Sequence, residues 1–549
     1  MNLAAAAQPW VEALDGPKWA LRGRVVTMNA SNEVISDGIV FMDQSQIVAV
    51  QDASQPAPPA YDTIRAVSAR GTIYPGLIEL HNHLCYNALP LWNVPRLFHN
   101  RDEWQRNTDY KSAVGKPMRV LGASAELVHA LIRYVEVKCM LGGVTASQGI
   151  TLASFKGNIK RFFRGIVRNV EQTGETVLPG AYAHIADVHS GEAAASLKQQ
   201  KRIKCYLLHL SEGTDGAARQ HFLDLRLPDG SWAIADSLCG IHATALTGED
   251  FAVLEKVGAK MVWSPFSNLL LYGNTADIRA AKAHGVPIGL GPDWSPSGSK
   301  NLLWEMKVAR AWSATAEGGP ILSDREIVAM VTRDAARILN WNATVGSIEA
   351  GKRADLLVIG RRDGDPYSDL LEATEKDVGL VVINGFPRFG YPSALRSVNG
   401  EDGLQSIKIG GRDRALYLLQ AAADPDVASV SFNDARDILT EALGNLGAVA
   451  ARVAKGLREA APPELAAAVE ARDEDIWLLA GEELQQMGIT DGAVESPAAA
   501  AHSLTTHIAG DESYELDPLT VDDDATWVDR IKGQTNLPDA LKEALIKMA

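Results

Sequence analysis

Eight short apolar runs punctuate residues 77–342, and most are separated by stretches long enough to form a helix. They are Leu77–His81, Val144–Gln148, Gly165–Val170, Ala181–Ala186, Tyr206–Leu210, Gly240–Ala245, Lys260–Ser264 and Pro287–Pro292. Near-continuous apolar character is what strands buried on both faces require, and strands alternating with helices build a parallel sheet. Helix-length material lies, for example, at Met118–Leu141 and Leu302–Ala316. Eight such units in about 265 residues fit an α/β (β/α)8 TIM barrel. On pattern alone an open doubly wound sheet is the alternative.

The flanks read differently. Before the barrel, Ala20–Met28, Gly38–Met42 and Gln46–Val50 are short β-branched runs split by Asn, Asp, Ser and Gly, the pattern of antiparallel strands and turns. After it, Gly346–Ile359 returns to turn-and-strand character, and Val378–Ile383 leads into an Asn384-Gly385 hairpin signal. The expectation is a composite β-sandwich domain made from residues 1–76 and 343–398, with the barrel of residues 77–342 inserted into it.

Charge marks a further boundary. The chain of 549 residues has a formal net charge of −15, yet residues 401–549 alone carry 28 acids and 12 Lys or Arg. The first 400 residues are therefore close to neutral, at +1. Residues 399–549 are expected to form an acidic helical extension. Leu439, Leu443, Leu446, Ala450, Val453 and Leu457 make an apolar stripe at helical spacing, which reads first as core and second as a partner surface. Pro462-Pro463 is expected to open a second, alanine-rich helix and Pro538 a terminal one, with acidic loop over Asp511–Asp529.

An acidic balance disfavours binding to nucleic acid or anionic membrane. No apolar run approaches the ~18–20 residues of a membrane span, and the N-terminus lacks the basic region of a signal peptide. Four scattered cysteines without a C-x-x-C pair point to reduced thiols and a cytoplasmic location.

The chemistry gathers at strand ends. His81-Asn82-His83 closes the first run, and strand alternation puts both histidines on one face. His209 ends the fifth run with Glu212 three residues on, His242 lies on the sixth, and Asp293 follows the eighth. Barrel active sites lie at this end of the strands. Imidazoles with a carboxylate and an open position are what catalytic Zn²⁺ or a similar divalent metal requires.

Tyr74-Pro75-Gly76-Leu77-Ile78-Glu79-Leu80-His81-Asn82-His83 resembles the segment that opens the barrel in the metal-dependent amidohydrolase superfamily. His209-x-x-Glu212, His242, Ser264-Pro265-x-Ser267-Asn268, and Asp293 followed by Asn301-Leu302-Leu303-x-Glu305-Met306 are similar to its branch of cytosine, guanine and S-adenosylhomocysteine deaminases and triazine hydrolases. The resemblance spans about residues 19–395, and the acidic tail matches nothing in it. It implies His81, His83, His209 and Asp293 as ligands of one divalent metal, Zn²⁺ or alternatively Fe²⁺. It also implies Glu212 as proton shuttle, His242 as a contact to the activated water or the substrate, and Asp293 as a second proton acceptor. Homo-oligomers are common in such a family.

Many members bridge two metals with a lysine on the fourth strand, but Ala181–Asp187 contains none, which favours a single metal. His184 and His189 nearby read as structural or substrate-contacting residues, with a second metal as the alternative. The long loop Cys85–Asn107 carries Tyr86, Trp92, Arg96, Phe98, Arg101 and Trp104, and Trp294 follows Asp293. These suit a flat heterocycle with a polar or anionic substituent, or equally a lid that packs on itself. Gly346-x4-Gly351-Lys352 is not a phosphate-binding loop, since Arg353 follows and a strand, not a helix, comes next.

The expected activity is mononuclear, metal-dependent hydrolysis of a non-peptide C–N bond, first as deamination of an amino-substituted heterocycle. The same apparatus would serve an amidase, a cyclic-amide hydrolase or a chlorohydrolase. A catalytically silent scaffold is the reading from another class.

Overall fold

The computed structural model describes residues 16–153, 160–163, 165–185, 187–360, 364–420, 425–460 and 512–549. The chain enters through β1 (Trp19–Val26), β2 (Val34–Asp43), β3 (Gln46–Asp52) and β4 (Val67–Pro75). Eight parallel barrel strands follow: β5 (Leu77–Ile78), β6 (Val144–Ser147), β9 (Arg168–Asn169), β10 (Tyr182–His184), β11 (Tyr206–Leu210), β12 (Leu238–His242), β13 (Lys260–Trp263) and β14 (Ile288–Leu290). Between them, β7 (Ile150–Ala153) and β8 (Lys160–Phe163) pair as an antiparallel side hairpin.

β5, β6 and β9 form one arc, and β10 to β14 form another. At one junction Ala181 N donates to Val170 O at 2.8 Å. At the other, Asn82 bridges Asp293 in parallel, and His83 N donates to Asp293 O at 2.6 Å. The eight strands thus close into the expected barrel, and the last junction brings the first and eighth strand ends into register.

The ladders are shorter than the apolar runs, for a local reason. Ser211, His242, Ala243 and Asp293 have φ of 53°, 66°, 52° and 68°. Left-handed backbone at a non-glycine residue leaves the ladder, and costs roughly 1–3 kcal/mol that surrounding structure must offset. β12 accordingly stops at His242 and not at Ala245. Similarly, the helical stretch from Met118 breaks before Ala125, because Ser124 turns extended and its side chain caps Leu127 N.

Behind the barrel, β15 (Leu356–Ile359), β16 (Val378–Ile383), β17 (Phe386–Gly390), β18 (Leu404–Ile409) and β19 (Arg412–Tyr417) join the N-terminal strands. The order is β18-β19-β17-β16-β15-β4-β1-β2-β3, antiparallel except for the pair β1–β4. Leu21, Val25, Val40, Leu356, Val358 and Val382 share a core of their own within this sheet. Both flanks contribute, but the sheet runs past the expected boundary at 398. The segment after 399 therefore opens with two strands and not with helix. Gly410-Gly411, at φ of 53° and 75°, makes the tight turn that lets β18 fold back onto β19.

Helices Phe432–Gly444 and Leu446–Ala460 follow, and the first packs on the barrel helix Ala125–Leu141. The rings of Tyr134 and Phe432 stack at 6.1 Å, and Leu439, Leu443, Leu446 and Ala450 are buried. From Leu439 to Ala450 the apolar stripe is thus internal core, and Val453 is half-buried against it. The helix expected at Pro462-Pro463 and the side chain of Leu457 lie outside the described residues. From 512 to 526 the chain is irregular, with bends and turns, and it then forms helices Trp527–Gly533 and Asp539–Met548. The acidic stretch is thus loop only as far as Thr526. Trp527 packs on Trp304 at 4.7 Å. Among the described residues, no helix is long and apolar enough to cross a membrane.

Candidate active site

The four residues read as metal ligands converge where the barrel closes. His81 Nε2 and His83 Nε2 each lie 3.4 Å from Asp293 Oδ1, and His209 Nε2 lies 3.1 Å from His81 Nε2. His242 stands beside them, its ring 4.9 Å from that of His81. All five side chains are buried, His83 being the most exposed at 9%. The donor atoms of His81, His83 and Asp293, and those of His81, His209 and His242, lie within 4.8 Å of one another.

Backbone geometry explains the convergence. His81 and His83 lie just past β5, on either side of Asn82, which bridges Asp293 and whose side chain bonds Glu79 Oε2 at 2.8 Å. Asp293 reaches the same point only because its backbone turns left-handed after β14. Behind it, Glu305 accepts from Phe266 N at 3.1 Å and from Ser299 Oγ, and burial pushes its carboxyl up to about 8.

Burial, then the neighbouring imidazoles, holds His81 and His209 well below the ordinary histidine pKa, and burial with His242 takes His83 down to about 3. Burial, then Glu212, pushes Asp293 well above the usual carboxylate range. Neutral imidazoles and an electrostatically uncomfortable carboxylate, crowded in a dry site, are what a divalent cation relieves. His81 Nδ1 lies 2.9 Å from Ser264 Oγ. A proton donated there leaves the Nε2 lone pair facing the centre. The residues present fit a metal ion.

His242 is held differently. Trp263 Nε1 can only donate, and it does so to Thr275 Oγ1 at 2.6 Å. Thr275 donates to Asn268 Oδ1 at 3.2 Å, so Asn268 Nδ2 is left to donate to His242 Nδ1 at 2.9 Å. That relay makes Nδ1 an acceptor and puts the imidazole proton on Nε2. Burial lowers the pKa of His242, keeping the ring neutral. Its Nε2 lies 3.6 Å from Glu212 Oε2.

Glu212 is gripped on its other oxygen. Tyr272 Oη donates to Oε1 at 2.6 Å and itself accepts from Trp104 Nε1 at 2.8 Å. Arg101 Nη1 stands 4.0 Å from Oε2, while its two Nη atoms donate to Ile185 O and to Asp187 Oδ2. Arg101 is thus already engaged by protein acceptors. Trp294 lies 4.9–5.7 Å from the rings of Tyr86, His83 and Trp104. The loop after the first strand also packs on itself, with Trp92 6.2 Å from Phe98.

His184 does not join the set. Its register partner is Leu208, so it stands on the face opposite His209; His189 is exposed. Tyr272, Thr275, Glu79 and Asp187 had no signal of their own in the sequence pattern. Tyr272 could have been suspected only from lying within reach of the Ser264–Asn268 motif.

A buried histidine and carboxylate centre at the carboxyl ends of the strands of a closed (β/α)8 barrel defines a metallohydrolase-like scaffold. Residues 72–386 match the amidohydrolase family, and the chain belongs to it. A 5-methylthioadenosine/S-adenosylhomocysteine deaminase of Symbiobacterium thermophilum is 23% identical over 413 residues, 66% of this chain and 91% of that protein. An S-triazine hydrolase of Gordonia rubripertincta is 31% identical over 159 residues, 27% of this chain and 33% of that protein. Among solved structures, an adenosine deaminase from Xanthomonas campestris with bound zinc superposes with a TM-score of 0.51 at 19% identity, covering 70% of this chain and 97% of that one. That likeness speaks to the fold.

Proposed function

We propose that this protein is a zinc-dependent hydrolase that deaminates an amino-substituted nitrogen heterocycle, with one metal ion per subunit. His81, His83, His209 and Asp293 would hold the metal. A divalent ion in such a site supplies a hydroxide nucleophile near neutral pH and polarises the bond under attack. Membership of the amidohydrolase family makes C–N hydrolysis the chemistry to expect, and the deaminase relatives support an amino leaving group.

The remaining residues divide the proton work. Glu212 Oε2 takes the proton of the attacking water and passes it to the amino nitrogen, which leaves as ammonia while the ring carbon keeps the oxygen. His242 donates its Nε2 proton in a hydrogen bond to the charge that develops on the substrate. Tyr272 occupies Oε1, so only Oε2 is left to face His242 and the reacting centre. This one-sided clamp on Glu212 is the observation that carries the reading. Tyr86, Trp104 and Trp294 offer an apolar aromatic lining for the ring, in which Trp294 is set at 73° to Tyr86 and 54° to Trp104, with Arg101 nearby. Four buried thiols support a reducing, cytoplasmic setting.

The triazine hydrolase relative favours a second reading, displacement of chloride at the same centre. Zinc-loaded protein should be screened against aminated purines, pyrimidines and triazines, and against their chloro analogues. Ammonia release with a gain of oxygen on the product mass supports deamination. Chloride release without ammonia replaces it, and ring opening without either points to a cyclic amide. Zinc, not iron, bound at one equivalent completes the reading, and light scattering tests the expected homo-oligomer.

A further inference from the structure

The acidic tail meets the barrel at several buried points, one of them against the turns that follow His83 and Asp293. Lys138, on the barrel helix Ala125–Leu141, and Lys300, just before the helix Leu302–Ala314, are both buried, at 1% and 7% exposure. Among the described residues, the carboxylates that meet them come from the tail. Asp517 bonds Lys138 through Oδ2 and Lys300 through Oδ1 at 2.8 Å, and Asp524 adds 2.6 Å to Lys300. A buried cation stripped of its counter-charge is strongly unfavourable, so the barrel's own sequence leaves a deficit that the tail fills.

What Lys138 holds makes this more than docking. Its Nζ also donates to Asn87 O at 2.7 Å and to Ser295 Oγ at 2.9 Å. Asn87 belongs to the turn after His83, and Ser295 to the turn after Asp293. Ser295 N donates to Asn87 Oδ1 at 2.8 Å, and Asn87 Nδ2 donates to Asn82 Oδ1 at 3.1 Å, between His81 and His83. Asp517 also touches the first turn directly, since its backbone N donates to Ala88 O at 2.8 Å. Tyr134 Oη fixes Asp517 O at 2.7 Å. One tail residue is therefore connected, through one ammonium, to the two turns that aim His83 and Asp293.

We propose that Asp517 is a positioning residue for the metal centre, acting through Lys138 on the turns after His83 and Asp293, so that residues 512–549 form part of the active-site frame. This rests on the reading that His83 and Asp293 bind a metal. Partners that orient metal ligands typically contribute about 10–100-fold in affinity.

The test is zinc affinity of the full-length protein by chelator competition, which needs no substrate. Asp517→Asn should weaken zinc binding about tenfold. Asp522→Asn breaks another tail anchor, the 2.6 Å pair with Lys376, which belongs to neither of these turns, and should leave affinity unchanged. Lys138→Met should weaken binding comparably, and the double variant with Asp517→Asn should add little to either single change. Should Asp517→Asn fail to fold, Ser295→Ala tests the same path without touching a charge, and weaker binding is again the expected result. Wild-type affinity in Asp517→Asn, or in Ser295→Ala where it stands in, overturns the proposal. So does additivity in the double variant, or an equal loss in Asp522→Asn, which would mean tail docking alone. A wild-type protein that binds no zinc would instead overturn the metal-site reading and this inference with it.

Discussion

Glu212→Gln isolates the proton transfer from everything else at the site. The glutamine side chain is nearly isosteric, and its amide oxygen can still accept from Tyr272 Oη in place of Oε1, now 2.6 Å away. Its amide nitrogen then takes the place of Oε2, facing the Nε2–H of His242 at 3.6 Å and Arg101 at 4.0 Å. Donor meets donor there, and no basic oxygen is left to receive a proton. Positioned acid–base catalysis is worth roughly 10²–10⁴ in rate, or about 3–5 kcal/mol of barrier. None of the four proposed ligands is altered, so zinc content should match wild type. The assay is steady-state ammonia release on the substrate identified by the screen, run alongside metal analysis. A variant that keeps wild-type rate within tenfold refutes Glu212 as proton carrier, and one that loses zinc shows that Glu212 serves the metal instead.

Asp293→Ala should lower zinc affinity beyond the ~10–100-fold that loss of a supporting partner costs, as read by chelator competition; undiminished affinity would remove Asp293 from the ligand set. Asn268→Leu cuts the relay that puts the proton on His242 Nε2, and should lower kcat about tenfold or more with zinc retained; unchanged kcat would refute the tautomer assignment. His221 lies 2.7 Å from Asp187, and although burial opposes it, that carboxylate raises its pKa above the ordinary value. The pair's contribution is then fully present below about pH 6.5 and is lost as pH rises through the raised value. Solvent screening keeps it within ~0.2–1 kcal/mol, so His221→Gln should cost stability at pH 6 and little at pH 9 in denaturant titrations. An equal cost at both pH values would contradict the ion pair.

The barrel was legible because its signal is local. Each strand is a short apolar run, and eight of them recur between helical stretches. The histidines were legible for the same reason, since two-residue alternation says which face His81 and His83 share before any partner is known. Where each ladder stops was not legible. The left-handed backbone at Ser211, His242 and Asp293 is imposed by what surrounds it, and neither Ser nor His nor Asp announces it. The hairpin over Leu404–Tyr417, which carries Lys408, Arg412 and Arg414 against Asp413 alone, was masked by the acidic residues that dominate the rest of the tail. Tyr272 was hidden because the geometry that clamps Glu212 joins residues 60 positions apart.

By itself, the sequence determined the set of eight apolar runs and the donors at their ends, since period, spacing and side-chain chemistry act over a few residues. Closure of the strands into a barrel rests instead on long-range junctions such as Asn82 with Asp293. It also separated a near-neutral body from an acidic tail. Only the tertiary structure decided what that acidity does. Asp517 and Lys138 are 379 residues apart, and a carboxylate at that distance carries no mark of the ammonium it will meet. Burial makes the pairing matter, because solvent would satisfy both charges on an open surface, whereas Lys138 and Asp517 are each only 1% exposed.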